Sequence, residues 1–349
     1  MLADLQLRNF RCFESLGLEF SPGFNFFIAR NGQGKTSILE AACVLLRLQS
    51  QRSSTLAPLV RLGEKSFAVS GRRDHHLLDF RYSPLRRKVA FDQVEQRTLD
   101  EYLRVARVVS FANTDIELVR GGSETRRRYL DFLAAQIEPI YRPTLRAYER
   151  ALRSRNALLK SPHPRPRELA AYDPPLLEYG AKLSAMRAGL VERLGPLATA
   201  AHREISGTGE RLALEFSPGN SDDFARDLAN SRPQESRLRQ TIVGPHRDDI
   251  QILVEANAAN QYASEGQQRT AALALKIAQS RVFMMEEGTP PLLLIDDIFG
   301  ELDPVRRNSL LQHLPAAAQK LVTATTMQWR ENGVEGPVLE LKDGMLIRG

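Results

Sequence analysis

A glycine-rich stretch carries the residue types that bind the phosphates of a nucleotide. It follows an apolar run at 24–28 and comprises Arg30, Asn31, Gly32, Gln33, Gly34, Lys35, Thr36 and Ser37. Glycines let successive backbone N–H groups turn toward one anion, a lysine reaches the terminal phosphates, and a threonine hydroxyl binds magnesium. The pattern therefore predicts a P-loop in which Lys35 is catalytic and Thr36 is a metal ligand.

One position departs from the P-loop pattern, which places glycine where this chain has Ala29. Alanine adopts the geometry of a strand exit as long as φ stays negative, so we expect a slightly different turn and a working site. A helix is predicted from Lys35, and its positive dipole end adds to the phosphate site.

A second apolar run, at 291–295, ends in Asp296 and Asp297. Such a run is typical of a buried central strand, and α/β proteins bind ligands at the carboxyl edge of such strands. Asp296 is predicted to hold the magnesium ion through water, and Asp297 to polarise the attacking water. Phosphoryl transfer asks the protein mainly for positioning and charge stabilisation. Alone, the pattern is more typical of a turn, but beside a P-loop it indicates a catalytic site.

Two loops carry helix-capping signals that also suit ligand binding. Asp303 and Pro304 predict an N-cap and a first helical residue, in a loop that would face a partner protomer. Ser264 and Gln267 predict a capping box at the start of a long helix. A serine hydroxyl, free N–H groups and Gly266 at a helix start also form an anion site. Because the chain already has its own phosphate loop, the predicted ligand is the γ-phosphate held by another subunit.

The elements around these motifs predict a mixed α/β fold with a helical insertion. Strand-like patterns precede the P-loop and recur in six segments, 66–70, 77–82, 87–91, 107–111, 212–216 and 250–254. Helical spacing covers 115–137, 143–159 and 175–204. These helices make up about one domain. They lack sustained heptads, which argues against a long coiled-coil arm.

The composition is that of a globular protein with a basic middle. The 349 residues are 42% hydrophobic and 26% charged, with a net charge of +6. The segment 120–211 holds 17 Lys and Arg against 10 Asp and Glu. This excess suits a nucleic acid partner, although any single residue in it also suits a solvated helical surface. No apolar run is long enough to span a bilayer and no signal peptide is evident, so we expect a cytoplasmic protein without membrane contact. Cys12 and Cys43 lie in apolar surroundings and are predicted to be buried thiols.

The order of the motifs resembles the ABC-type ATPase head. The flanking sequences are similar to the RecF family of bacterial recombination mediators in four segments, 7–11, 121–131, 243–249 and 264–270. The resemblance implies an α/β P-loop ATPase head, with a mixed sheet and an antiparallel β subdomain, plus an inserted helical lobe and no long coiled coil. Residues 1–115 and 241–349 would form lobe I, with the P-loop, signature and Walker B motifs. Residues 116–240 would form a basic, mainly helical lobe II with DNA and dimer contacts.

The resemblance also implies how the chain would act. ATP and Mg²⁺ would be its cofactors, with Arg11 near the nucleotide, and hydrolysis would be weak and DNA-stimulated. Two nucleotides would lie in an ATP-dependent homodimer, between Lys35 of one subunit and Ser264 of the other. Duplex DNA or single-strand/double-strand junctions would be bound across the dimer, with RecR and RecO as partners in loading RecA.

At two positions the sequence lacks a residue that is typical of ABC-type ATPases. The glutamine expected after the strand at 107–111 is missing, with Asn113 as a weak candidate, and 323–326 stands where transporters keep a switch histidine. For 244–249 both salt bridging and DNA contact remain open. Arg126, Arg127 and Arg128 are candidate DNA contacts, but on a helix they point in different directions, so some of them are expected to be structural. Two other hypotheses are a transporter ATPase, which would have the same motif order, and a nuclease-associated head, which would need long arms.

Overall fold

The phosphate loop follows the third strand of the chain, in a sheet whose strands come from both ends of the sequence. The computed structural model describes residues 1–53, 55–163, 165–207, 209–329, 334–342 and 345–348. The strands are β1 (Asp4–Phe10), β2 (Phe13–Glu19), β3 (Phe24–Ile28), β4 (Phe67–Arg73), β5 (His76–Tyr82), β6 (Arg87–Phe91), β7 (Val94–Glu95), β8 (Val108–Ala112), β9 (Leu212–Ser217), β10 (Asp249–Val254), β11 (Asn257–Ala258), β12 (Leu292–Asp296), β13 (Lys320–Ala324), β14 (Val338–Lys342) and β15 (Met345–Arg348).

Helices lie in both halves of the chain. They are α1 (Lys35–Arg47), α2 (Asp100–Arg104), α3 (Glu117–Arg120), α4 (Ser123–Ile137), α5 (Tyr141–Leu159), α6 (Pro166–Ala170), α7 (Asp173–Ser206), α8 (Phe224–Leu238), α9 (Ala259–Tyr262), α10 (Glu265–Glu287) and α11 (Pro304–His313). Short 3₁₀ segments lie at Ala57–Leu59, Asn113–Ile116 and Pro245–Arg247. Within the described residues no long coiled coil is present, as the missing heptads predicted.

The chain divides into two compact units. Met1–Asp115 with Gln279–Gly349 forms the first unit, and Ile116–Ala278 forms the second. The sequence placed the return to the first lobe at residue 241, and the second unit extends beyond it. The reason is that β10 pairs antiparallel with β9 along its whole length, from Asp249↔Ser217 to Val254↔Leu212. The start of α10 therefore belongs to the second unit.

The first unit contains the two sheets that the sequence predicted. One is antiparallel, in the order β2-β1-β4-β5-β6-β7, and the other is mixed, in the order β15-β14-β3-β13-β12-β8. In the mixed sheet only the β14–β15 pair is antiparallel. Helix α1 packs against strands of both sheets. It is therefore buried at every position from Ile38 to Arg47.

The strand register brings the chemistry-bearing ends of the mixed sheet to one edge. Strand β13 lies between β3 and β12, with Ala324 opposite Ile28 and Thr323 opposite Asp296. On the other side of β12, Asp296 pairs with Ala112 at the end of β8. These strands are parallel, so the P-loop and the acid pair follow strands that end side by side.

The second unit is built on α5 and α7, with the three-stranded sheet β11-β10-β9. The predicted helix at 115–137 is interrupted, because Gly121 and Gly122 are extended and separate α3 from α4. A Cβ atom on Gly121 would lie 2.5 Å from the carbonyl oxygen of Glu117. This close approach explains why glycine occupies the break.

Candidate active site

The P-loop has a backbone that only glycine tolerates at two positions. Gly32 and Gly34 have φ of +82° and +92°, in the left-handed region. A Cβ atom on Gly34 would also lie 2.6 Å from Cys12 Sγ. Ala29 lies outside the left-handed region, which is the condition under which alanine was expected to be tolerated there.

Lys35 is held against the loop that precedes it. Its Nζ donates to the carbonyl oxygens of Ala29 and Arg30, and the residue is 6% exposed. Burial lowers the pKa of Lys35, while the nearby Asp297 and Asp296 act in the opposite direction. The ammonium group therefore lies between the loop and the acid pair.

The acid pair is oriented by hydroxyl groups from two other segments. Asp296 Oδ1 accepts hydrogen bonds of 2.8 Å from Thr36 Oγ1 and from Thr323 Oγ1. The hydroxyl and the carboxylate that the sequence assigned to magnesium are thus adjacent, and both offer the oxygen ligands that this ion prefers. Thr323 was noted only as standing where transporters keep a switch histidine, and its hydrogen bond gives it a positioning role.

Asp297 is fixed in an unusual backbone conformation. Its φ is +53°, a region that aspartate and asparagine tolerate better than most residues. Its N–H donates to Thr323 O, its carbonyl accepts from Asn113 Nδ2 at 3.2 Å, and Oδ1 accepts from Thr325 N–H at 3.2 Å. Within the described chain no residue hydrogen-bonds Oδ2. One oxygen of this carboxylate is therefore available to a water molecule.

A cavity of about 670 Å³ lies over the P-loop. Its lining includes the predicted residues Arg11, Arg30, Asn31, Gly32, Gln33, Gly34, Lys35, Thr36, Ser37 and Asp297. The sequence missed five lining residues, Cys12, Arg52, Pro58, Val60 and Leu62. No local motif marks them, because they come from a turn and a loop that pack beside the P-loop only in the fold.

Arg11 lies on the wall of this cavity with a buried partner. Its Nε and Nη2 donate to the two carboxylate oxygens of Glu40, at 2.8 and 2.9 Å, and Glu40 is fully buried in α1. Bidentate pairing of this kind fixes the plane of the guanidinium group. The adjacent Cys12 is exposed, so the prediction that it is buried was wrong, whereas Cys43 in α1 is buried as predicted. Cys12 follows Arg11 in the turn between β1 and β2 and faces the cavity.

The start of α10 forms the predicted capping box. Gln267 Oε1 accepts from Ser264 N–H at 2.7 Å, and Ser264 Oγ accepts from Gln267 N–H at 3.3 Å. Ser264 is exposed. Because its oxygen is the acceptor in the cap, its own O–H remains a donor for an external group.

Two residues that the sequence did not single out hold this helix start from either side. Arg120 Nε donates to Gln268 Oε1, and its Nη2 lies 3.3 Å from Glu265 Oε2. Glu210 Oε1 accepts from Gln267 Nε2 at 2.8 Å. They lie far from α10 in sequence, so no spacing rule identifies them. Together they position the signature residues Ser264, Gly266 and Gln267.

Asp303 caps α11 as predicted. Its Oδ1 accepts from Arg306 N–H at 3.0 Å, and Pro304 is the first helical residue. Hydrogen bonds from Arg306 lower the pKa of Asp303. Asp303 does not line the cavity described above, so its assignment to nucleotide binding depends on a second subunit.

The segment 244–249 is the centre of a buried ionic cluster in the second unit. Arg187 donates to Asp248 Oδ2 at 2.9 Å, to Asp131 Oδ1 at 2.7 Å and to Pro245 O at 2.7 Å. Asp248 is fully buried. Arg126 makes a bidentate pair with Asp249. Of the two readings left open by the sequence, salt bridging therefore accounts for Asp248 and Asp249.

The arginines of α4 are largely committed to contacts within this unit. Arg126 is 8% exposed, and Arg127 Nη1 donates to Asp248 O at 2.7 Å. Arg128 is exposed but pairs with Glu124 one turn away. Arg126, whose guanidinium group is occupied and buried, is therefore one of the arginines of this run that serve a structural role.

His246 is part of the same cluster and should make stability depend on pH. Its ring lies between Tyr148 OH at 2.7 Å and Thr241 O at 3.0 Å. Burial lowers its pKa to about 4, and Arg247, Arg127 and Arg187 act in the same direction. In the unfolded state His246 binds a proton with a pKa near 6.5, whereas in the folded state its ring stays neutral down to about pH 4. The contribution of His246 to the free energy of unfolding is therefore fully present above pH 6.5. It is lost as the pH falls toward 4, by about 2 kcal/mol at pH 5.

This expectation is tested on the difference between wild type and His246→Gln, since carboxylates elsewhere also titrate. Glutamine retains a donor and an acceptor but does not titrate. The free energy of unfolding in urea, measured at pH 7.5 and pH 5, should fall further for wild type than for the variant. Equal losses in the two proteins would contradict a neutral, buried His246.

The chain is similar to proteins of one known family along nearly its whole length. Residues 1–335 match the family described as RecF/RecN/SMC N terminal domain. The DNA replication and repair protein RecF of Symbiobacterium thermophilum is 39% identical over 344 residues, which cover 94% of this chain and 92% of that protein. The chain belongs to the RecF family. The RecF of Rippkaea orientalis is 34% identical, covering 95% of this chain and 96% of that protein.

Solved structures agree with this membership. The solved structure of the recombination mediator protein RecF with ATPγS, in the RecFOR pathway, superposes with a TM-score of 0.90 at 30% identity, covering 100% of this chain and 98% of that chain. An Smc head domain from Pyrococcus furiosus reaches a TM-score of 0.53 at 15% identity and shares the fold alone. The fold is thus the ABC-like ATPase head of the RecF family. Among the described residues, no helix combines the length and the apolar composition needed to cross a bilayer.

Proposed function

We propose that the chain is an ATP-dependent, DNA-binding mediator of recombination and repair whose two subunits associate when ATP is bound. The observation that carries the proposal is Ser264, an exposed hydroxyl with a free donor at the start of α10, in a chain that has its own P-loop. The P-loop already binds the phosphates of the nucleotide in its own subunit, so the start of α10 is not needed for that nucleotide. It suits the γ-phosphate held by another copy of the chain.

Each subunit would bind ATP in the cavity over its P-loop. The N–H groups around Gly32 and Gly34 and the ammonium group of Lys35 would hold the phosphates. Thr36 and Asp296 would hold a magnesium ion, which when bound neutralises charge on the β- and γ-phosphates. The 2.8 Å hydrogen bond between these two side chains supports a shared role.

Asp297 would orient and polarise the attacking water. Its backbone is held by hydrogen bonds to Thr323 and Asn113, and Thr325 N–H binds one carboxylate oxygen. The remaining oxygen is free to accept a proton from water. A fixed carboxylate supplies the positioning that phosphoryl transfer requires.

Closure of the site would come from the second subunit. Ser264, Gly266 and Gln267 of one subunit would face the γ-phosphate on the other, and Asp303 would lie at the same interface. Hydrolysis, slow and stimulated by DNA, would remove the phosphate that bridges the subunits and so reset the dimer. ATP would thus control association, with the dimer holding DNA at gaps or junctions for RecR, RecO and RecA. The RecF relatives, which are DNA replication and repair proteins, support the role in repair, and the RecFOR pathway of the ATPγS-bound RecF structure supports RecR and RecO as partners.

The proposal predicts a dimer that forms only with ATP. The mass in solution should double with ATP, but not with ADP or without nucleotide, and Lys35→Met should remain a monomer. Ser264→Asp should also remain a monomer, because aspartate still caps α10 but repels the γ-phosphate. Light scattering coupled to size-exclusion chromatography measures each mass.

Ser264→Thr is the matched control for this experiment. Threonine retains both the cap and the hydroxyl donor, so this variant should still dimerise with ATP. If Ser264→Asp dimerises as well as wild type, the signature helix does not meet the phosphate. A mass that never changes with ATP would overturn the composite site altogether.

A further inference from the structure

Helix α5 has two faces of opposite character. One face is buried in the second unit through Tyr141, Thr144, Tyr148, Ala151, Arg155 and Leu159. The other face carries Arg142, Arg146, Arg150 and Arg153, followed by Lys160 just after the helix. At about 100° per residue these five cations lie within roughly 80° of one another around the axis. We name them the α5 stripe. It is about 27 Å long.

Three of the five charges of the α5 stripe have no counter-charge among the residues that the structure describes. The helix contains one acidic residue, Glu149, which lies 3.4 Å from Arg153. Arg146, Arg150 and Lys160 are exposed, and none makes an ion pair within the described part of the chain. The buried Arg155 of the same helix, by contrast, donates to Glu235 at 2.7 Å.

The α5 stripe also opposes the stability of its own helix. Arg142 lies in the first turn, where the helix dipole disfavours positive charge. Arg142, Arg146 and Arg150 are spaced i, i+4, i+8, so like charges face each other along the helix. The first turn contains no acidic residue. Folding alone gives no reason for this arrangement, and a negatively charged ligand does.

We propose that the α5 stripe binds the sugar–phosphate backbone of duplex DNA. The inference rests on the DNA binding in the proposed function and assigns it to a surface. Duplex DNA carries about one negative charge per 1.7 Å, so 27 Å of the stripe spans about eight base pairs. Arginine forks match phosphate oxygens in geometry as well as charge.

The composition of the stripe distinguishes duplex DNA from other polyanions. None of the large exposed apolar side chains in the described residues lies on α5, so an acidic protein would find no buried anchor there. Both tyrosines of α5 are buried on the opposite face, so unpaired bases would find no aromatic ring for stacking. What remains is recognition of a regular backbone without base readout.

The test compares duplex binding by three forms of the full chain in the presence of ATP. The stripe variant is Arg146→Gln/Arg150→Gln/Lys160→Gln. The matched control is Arg203→Gln/Arg211→Gln/Arg226→Gln, which removes three exposed cations from other parts of the same unit. Affinities for one fluorescent duplex are measured by anisotropy across about 50 to 200 mM salt.

We expect the stripe variant to lose at least about tenfold in affinity at low salt. Three lost phosphate contacts should also reduce the slope of log affinity against log salt by about 2.7, while the control changes little. Arg146→Lys/Arg150→Lys keeps the charge and should keep most of the slope. The stripe variant should melt at or above the wild-type temperature, because like charges have been removed, which separates lost binding from lost folding.

The outcomes distinguish the surface from the function. If wild type binds duplex and the stripe variant binds it equally well, the α5 stripe is not the contact, although DNA binding stands. Equal losses in the stripe variant and the control would also overturn the assignment to α5. If polyglutamate competes as well as duplex at equal charge, the stripe is a general anion surface. If wild type does not bind DNA at all, both the inference and the DNA binding of the proposed function fail.

Discussion

Asp297→Asn should lower the rate of ATP hydrolysis by at least about 100-fold while the ATP-dependent dimer still forms, because a positioned base contributes roughly that factor. Asparagine has the same shape, tolerates the φ of +53° and still accepts from Thr325 N–H. The substitution therefore removes the negative charge that we propose polarises the attacking water, and little else. Phosphate release at saturating ATP, measured beside the mass in solution, checks both parts.

Asp296→Asn is the informative comparison for this variant. Its carboxylate accepts hydroxyl hydrogen bonds from Thr36 and Thr323, so the loss should appear first as a higher magnesium concentration for half-maximal nucleotide binding. If Asp296→Asn changes the magnesium dependence and Asp297→Asn changes the hydrolysis rate, metal binding and water activation belong to different residues. A hydrolysis rate that Asp297→Asn leaves intact would mean that another group positions the water.

Arg187→Met should destabilise the second unit by about 3 to 5 kcal/mol, since it leaves the buried carboxylate of Asp248 without its counter-charge. Asp248 is fully buried, and its other hydrogen bonds come only from the neutral donors Gly219 N–H and Ser184 Oγ in the described chain. Asp131 would also lose its two bonds from the Arg187 guanidinium group. The free energy of opening, measured by hydrogen–deuterium exchange of α5 and α7, reports this unit directly. Fluorescence of the single tryptophan, Trp329, reports the other unit.

Lys182→Met on the same helix is the control for Arg187→Met. Lys182 pairs with Glu178 at the exposed surface, one turn away, and such pairs contribute little. Its exchange rates should match those of wild type. If Arg187→Met shows the same small effect, the cluster around Asp248 does not hold the helices of this unit together.

Local hydrogen-bonding chemistry explains which parts of the site the sequence predicted well. The Ser264–Gln267 capping box and the Asp303 cap each join residues three positions apart, so spacing alone specifies them. The left-handed φ of Gly32 and Gly34 likewise follows from a motif that admits no side chain there. Secondary structure was predicted closely for the same reason, as at β6, whose bounds agree with the predicted 87–91.

The features that the sequence did not predict depend on contacts between residues far apart in the chain. Cys12 was predicted to be buried, but it is exposed and lines the cavity beside the P-loop, a position that depends on how its turn packs in the fold. The role of Thr323 depends on the register between β12 and β13. Sequence patterns specify which face of an element is buried, but not which residue of another element lies against it.

The order of the motifs along the chain was therefore enough to predict the ATP chemistry and the ABC-type α/β head, because each motif is a short segment with its own backbone requirement. The four flanking segments narrowed the resemblance to RecF. The partners of the charged residues were not accessible in that way. Arg11 donates to Glu40 from 29 residues away in the sequence, and Arg187 donates to Asp248 from 61 residues away. Arg120 donates to Gln268 across 148 residues. Such contacts arise when strands and helices pack. The same packing leaves Arg146, Arg150, Arg153 and Lys160 exposed while it buries Arg126 and Arg155.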